Sequence, residues 1–341
     1  MLAHKRADAQ PATTPVGTSA VLDKFRDHSI VLLGEIHWNL AEHEFIQRLL
    51  SDARFPDVVD DVAVEFGNSR YQSLIDRYTS GDNVPMDSLS LAWRNTTQPL
   101  AWDPPMYAEV YAAVRRINVK RPRDHLMRLI ALDPPIDWSK VRTPEDFPRI
   151  WGYRDPVWFE TLEREVLSRK RKVLVIVGGH HVMRRDPPNF QPQSFDRIGL
   201  GDALAHRYPG QAFSIYPAVG TGTLAQLVED KGLEALVDVA GSSIATRSSE
   251  ILWSGNVTLL RKVNGVMQPY TLTTKDYPTV GELIDGVMYF GPSGARALRP
   301  VSIYADSAYV SELRRRNALM ISIFGVDQDS TILDLAKRAR H

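Results

Sequence analysis

Ser29-Ile30-Val31-Leu32-Leu33-Gly34-Glu35-Ile36-His37 decides the fold. Ser29–Leu33 is a short aliphatic run that stops at a glycine and hands the chain to an acid and an imidazole. A run of this length without alternation reads as a strand buried on both faces. Four more stretches have the same character: Val62–Glu65, Arg128–Leu132, Lys172–Val177 and Ala212–Tyr216. Helical patterns separate them. Leu40–Leu50 places Phe45, Ile46, Leu49 and Leu50 on one stripe, and Asn39 with Glu42 has the spacing of a capping box. Met106–Ile117 and Val157–Leu167 show the same helical periodicity. Strands alternating with helices imply a three-layer αβα fold, with a mainly parallel sheet and helices on both faces.

Outward from this core, residues 1–20 are polar and rich in Pro, Ala and Thr, and read as a disordered leader without the apolar segment of a signal peptide. As written the chain reads as cytoplasmic, and as exported if a signal peptide has been removed. Residues 21–305 read as one α/β domain. Within it, 81–105 carries two Trp and several Pro residues and reads as an irregular excursion over the strand ends. Ile251–Lys262 and Val287–Phe290 are further strand candidates, and 306–341 reads as peripheral helices.

Composition narrows the function classes. The 41 basic and 41 acidic residues balance, so nucleic acid is not an expected partner; a small-molecule or peptide substrate is. Cysteine is absent, which removes thiol catalysis, disulfides and Cys-based zinc sites. No stretch approaches the length of a membrane span.

Ligands of open α/β sheets gather outside the carboxyl ends of the strands. Here those ends carry Glu35 and His37, Glu65, Asp133, and the pair His180-His181. Buried carboxylates need a cationic, metallic or hydrogen-bonding partner, and His37 and His181 are candidates to supply it. Each residue alone has a structural reading; together, at one rim, they point to a shared site. Around them, Glu42 either faces the site or completes its cap, and His43 flanks the same helix. Arg154 could reach over the rim to an oxyanion, while Asp155 reads as a helix N-cap and Asp133 before Pro134-Pro135 as a turn former. Gly220-Thr221-Gly222-Thr223-Leu224-Ala225, with Asp238 beyond it, matches a nucleotide-loop pattern that Pro217 and a short following helix weaken.

At Leu33-Gly34-Glu35-Ile36-His37 with Asn39 and His43, at Ala63-Val64-Glu65-Phe66 and at Val177-Gly178-Gly179-His180-His181, the chain resembles the haem-binding-uptake/Tiki-like superfamily. That superfamily takes in ChaN-like, TraB/Tiki and erythromycin esterase-like proteins. The resemblance runs from about Ser29 to Tyr216. It implies a site built from Glu35, His37, Glu65 and His181, and it pairs Arg154-Asp155 with an Arg-Asp pair of the esterase branch. The Glu-x-His spacing is that of the haem-uptake and Tiki branches; esterases have one more residue between, which argues against macrolide hydrolysis.

The expected activity is therefore hydrolysis of an ester, lactone or amide. His37 would be the general base, oriented by Glu35 or Glu65, with His181 and Arg154 on the oxyanion. A metal-assisted form would place Zn or Mn on Glu35, His37, Glu65 and His181. The alternative is a haem-binding protein without catalysis.

Overall fold

The computed structural model describes residues 16–148, 151, 154–185, 199–252, 258–263, 266–271, 277–325 and 327–340. Its strands are β1 (Ile30–Glu35), β2 (Asp61–Asn68), β3 (Arg128–Asp133), β4 (Val173–Gly178), β5 (Ala212–Ala218), β6 (Leu236–Asp238), β7 (Thr258–Val263), β8 (Val266–Thr271) and β9 (Gly286–Tyr289). Seven of them form one sheet in the order β3-β2-β4-β1-β5-β9-β6, parallel throughout except for β6 on β9. β7 and β8 pair with each other as a separate antiparallel ladder.

Alternation along each strand sends side chains to two apolar layers. Val31, Leu33, Val62, Val64, Leu174 and Ile176 pack with the helices Leu40–Ser51, Gln72–Thr79, Met86–Arg94 and Pro105–Asn118. Ile30, Leu32, Ala63, Val173, Val175 and Val177 pack with the helices Asp155–Glu165, Leu200–Arg207, Thr223–Val228 and Val280–Leu283. The three-layer α/β architecture expected from the sequence is the architecture observed.

Chain topology locates the site. From β1 the chain crosses toward β2, and from its neighbour β4 it crosses the other way toward β5. Crossovers leaving adjacent strands in opposite directions open a crevice at their carboxyl ends. There Glu35 pairs in register with Gly178, and Glu65 follows the pair Val64–Ile176 on the other side of β4. The two carboxylates thus flank a residue with no side chain. β1 and β2 both run on past their apolar residues, because backbone pairing continues to Glu35 and, through a register shift, to Asn68.

Several local readings change. A helix, Val16–Lys24, starts inside the stretch read as leader; residues 1–15 lie outside the described ones. The excursion at 81–105 contains a regular helix, Met86–Arg94, whose Leu89, Ala92 and Trp93 are buried. The capping box closes only halfway. Asn39 accepts the Glu42 N–H at 3.0 Å, but the Glu42 carboxyl takes the N–H of Ile36, not that of Asn39. Asp238 of the nucleotide-loop pattern lies on the edge strand β6 and binds Lys24. Among the described residues no helix is long and apolar enough to cross a membrane. The C-terminal helices Ser307–Phe324 and Asp329–Arg338 build two small apolar clusters, one around Leu100 and Tyr304 and one around Ile136, Trp138 and Phe147.

At the opposite end of the sheet, buried Asp61 accepts hydrogen bonds from Arg128 at 2.8 and 3.0 Å and from Arg171 at 2.7 Å. Burial pushes its carboxyl up, but the two guanidiniums outweigh this and hold it below its ordinary value. Asp61→Ala is expected to cost about 2–4 kcal/mol in urea unfolding. In the natural chain this contribution is present above the ordinary aspartate range and is lost as pH falls through the lowered pKa.

Candidate active site

Glu35 closes β1 with its side chain on the face of Val31 and Leu33, toward the helices Leu40–Ser51 and Pro105–Asn118. Its buried carboxylate faces two imidazoles. Oε1 accepts from His37 Nδ1 at 2.6 Å and from the Tyr107 hydroxyl at 3.2 Å; Oε2 accepts from His43 Nε2 at 2.6 Å. Burial alone would raise this carboxyl strongly, yet His43 and His37 pull it down to about 2. Glu35 is therefore an anion. Glu42, also buried, differs: burial and the charge on Glu35 raise its carboxyl well above the ordinary range.

His37 lies across the rim from Glu35 to Glu65. Nδ1 is held by Glu35, and Nε2 is 3.7 Å from Glu65 Oε1. The ring is one-third exposed and packs edge-on against Trp102 at 4.8 Å between centroids. Burial lowers its pKa, but Glu65 and Glu35 outweigh that, and the net shift is upward. A Cβ on Gly178 would come within 3.1 Å of His37 Cε1, 3.5 Å of Glu65 Oε1 and 3.5 Å of His181 Cδ2. The bare glycine is what lets these three groups approach one another.

Trp38 fixes the turn after His37. It takes φ of +71°, an expensive conformation for a bulky residue. Its N–H donates to the Tyr107 hydroxyl at 3.1 Å, its indole to the Ala101 carbonyl at 2.6 Å, and its carbonyl accepts from the Ala297 N–H at 2.8 Å. Arg296 and Arg299 stack on its ring at 4.6 and 4.1 Å.

Glu65 projects with Ala63 toward the other layer. Oε1 accepts the Gly178 N–H at 2.7 Å, and Oε2 accepts from Arg154 at 3.2 Å. Arg154 is buried, stacks on Trp158 at 4.6 Å, and donates with its other amino group to Asp133 at 3.2 Å. Asp133 also accepts the N–H and hydroxyl of Thr97, at 2.5 and 2.9 Å. Burial nonetheless raises it to about 6, against Arg154 and Thr97. Arg154 thus bridges two carboxylates.

His181 borders Gly178 together with His37. Its Nδ1 is bound to Asp155 at 2.7 Å, and its ring lies 4.6 Å from Trp158. Asp155 is no N-cap: it also accepts the Leu200 N–H at 2.8 Å, and although burial opposes it, His181 holds its carboxyl below the ordinary range. His180 is exposed, yet partial burial of its ring, with the neighbouring His181 and His37, lowers its pKa.

The structure gathers Glu35, His37 and Glu65, whose ligand-type atoms lie within 4.8 Å of one another, with Arg154 and His181 at the border. Tyr107 and Asp155 are additions to the sequence reading. Tyr107 was hidden in the apolar stripe of its helix; the dipeptide Arg154-Asp155 was the available signal for Asp155. Three oxygen and nitrogen donors are a set Zn or Mn accepts. An ion there would displace short hydrogen bonds, since both Glu35 oxygens and Glu65 Oε1 are already engaged.

Fold and rim define a three-layer α/β protein with a carboxylate–imidazole site at its topological switch point. No protein-family model and no curated protein matches the sequence. Solved structures align with it, one at a level that shows a shared fold. The erythromycin esterase EreC, as a histidine-to-asparagine mutant in its open conformation, aligns over 82% of this chain and 94% of its own, with a TM-score of 0.52 and 10% identity. A Bacillus cereus protein aligns over 79% and 90%, with a TM-score of 0.47 and 12% identity. A succinoglycan biosynthesis protein aligns over 82% and 97%, with a TM-score of 0.44 and 9% identity. At such identities the likeness is one of fold.

Because Glu65 raises the His37 pKa, Glu65→Gln is expected to lower the midpoint of the His37 ring-proton NMR titration. An unchanged midpoint would mean that Glu65 does not act on His37.

Proposed function

We propose that the protein hydrolyses an ester, lactone or amide, with His37 as general base. The observation that carries this reading is the 2.6 Å contact between Glu35 Oε1 and His37 Nδ1. A carboxylate there would hold the ring's proton on Nδ1 and leave a lone pair on Nε2, as a carboxylate–imidazole dyad requires. Water between His37 Nε2 and the substrate carbonyl loses its proton to His37 as it attacks. Glu35 and Glu65 stabilise the resulting imidazolium. His181, held by Asp155, would stabilise the oxyanion in its imidazolium form, and the proton taken up by His37 would pass to the leaving group as the carbonyl re-forms. Arg154 positions Glu65, since its amino groups serve Glu65 and Asp133.

The resemblance to the haem-binding-uptake/Tiki-like superfamily, and the fold shared with an erythromycin esterase, support the same reaction class. In a metal-assisted form Glu35, His37 and Glu65 would hold a Zn or Mn ion, which lowers the pKa of bound water. Elemental analysis of the purified protein distinguishes the two forms.

His37→Ala is expected to lower turnover of a cleaved ester by about 10²–10⁴-fold. A base works only when deprotonated. The rate should therefore fall on the acid side through a midpoint above the ordinary histidine value of 6.5, and Glu65→Gln should move that limb down. Full activity of His37→Ala would remove His37 from the reaction.

A further inference from the structure

A cavity of about 450 Å³ adjoins the site, and nothing in the reaction above uses it. Arg154, which holds Glu65, lines it, and so does Trp38, the residue after His37. Its far wall is apolar and comes mostly from the C-terminal helices: Met320 and Phe324 on one, Ile332 on the next, joined by Phe147 and Trp151. Those aromatic rings brace one another, Phe147 lying 5.8 Å from both Trp151 and Phe324. Among the described residues that line it, the charged ones are Arg154 and Arg299, with no acid between them.

This wall is fastened to the sheet-end excursion. The Tyr304 hydroxyl donates to buried Asp103, Arg299 Nε to the Leu100 carbonyl at 3.0 Å, and Arg316 to the Arg94 carbonyl at 3.2 Å. Arg315 reaches the carbonyls of Val141 and Trp138 at 2.6 and 2.7 Å. Helices tied down at so many points are a fixed part of the cavity.

We infer that the cavity receives the non-reacting part of the substrate, and that this part is a flat apolar ring system, uncharged or anionic. The assignment rests on the hydrolase reading for the word substrate, and on the cavity itself for the class of ligand. Size, aromatic lining and a few polar groups match a small-molecule pocket. The ring of Trp151 in the lining favours a flat ligand. Among the described residues no acid lines the cavity, and the Arg299 guanidinium there disfavours a cation, while the charge of Arg154 is already met by Glu65 and Asp133. The C-terminal helices are then the specificity wall of the enzyme.

The test uses the full chain with 2-naphthoate as probe. Calorimetric titration is expected to show saturable binding. Met320→Trp, which fills the cavity, and Phe324→Ala, which removes a half-exposed ring, should each weaken it about tenfold or more. The cationic analogue naphthylmethylammonium should bind at least about tenfold more weakly than naphthoate. Absence of saturable binding, or binding that neither cavity variant alters, overturns the assignment. Hydrolysis is judged separately, with methyl 2-naphthoate and methyl acetate. Naphthoate binding without turnover of either ester supports the cavity and removes hydrolysis. Turnover of both, with Met320→Trp slowing neither relative to the other, overturns the cavity assignment and leaves hydrolysis in place.

Discussion

A buried carboxylate is tolerated only where its charge is answered, and the carboxylate of Glu35 is answered three times over. His37, His43 and the Tyr107 hydroxyl all donate to it. Each donor comes from a different piece of chain, so one charge sets the geometry of three. It aims the loop after β1 across the rim. It fixes the rotation of the helix Leu40–Ser51, whose His43 faces inward beside Phe45 and Ile46. It also draws in the helix Pro105–Asn118, whose Tyr107 in turn accepts the Trp38 N–H and steadies the strained residue after His37. Removing the charge would leave two imidazoles and a hydroxyl without their common acceptor, a costly loss in a buried site.

Glu65 answers from the opposite layer. Its partners are the Gly178 N–H and Arg154, and Arg154 is in turn held by Asp133 and, through it, by Thr97 of the excursion. The two glutamates therefore belong to separate networks on separate faces of the sheet, and His37 is where they meet. Gly178 makes the meeting possible, because any side chain there would fill the gap. This arrangement tunes His37 from both sides while keeping part of its ring open to a ligand.

Much of this was legible from residue order alone. Strands flanked by helices, four of the five ending in an acid or a histidine, predict both the layered sheet and a shared rim. What escaped had physical reasons. Tyr107 sits on the buried stripe of an amphipathic helix, where an aromatic residue reads as core, and nothing in the pattern shows that its hydroxyl reaches Glu35. Asp155 opens a helix, where a carboxylate usually caps; tertiary contact with His181 and Leu200 took it instead. Glu42 has capping-box spacing, but the chain turns sharply at Trp38 and brings the Ile36 N–H within its reach. The helix Met86–Arg94 was masked by the Trp and Pro residues around it. The C-terminal helices could be counted in the sequence, but their place against the cavity depends on Asp103, Arg315 and Arg316 finding distant partners.

Nitrogen-15 chemical shifts of the His37 ring test the central arrangement most directly. With Glu35 accepting from Nδ1, the ring above its pKa should carry its proton on Nδ1, with the shift of an unprotonated nitrogen at Nε2. A neutral ring protonated on Nε2 would mean that Glu35 does not orient His37, and that the base assigned to this rim lacks a lone pair where the reaction needs one.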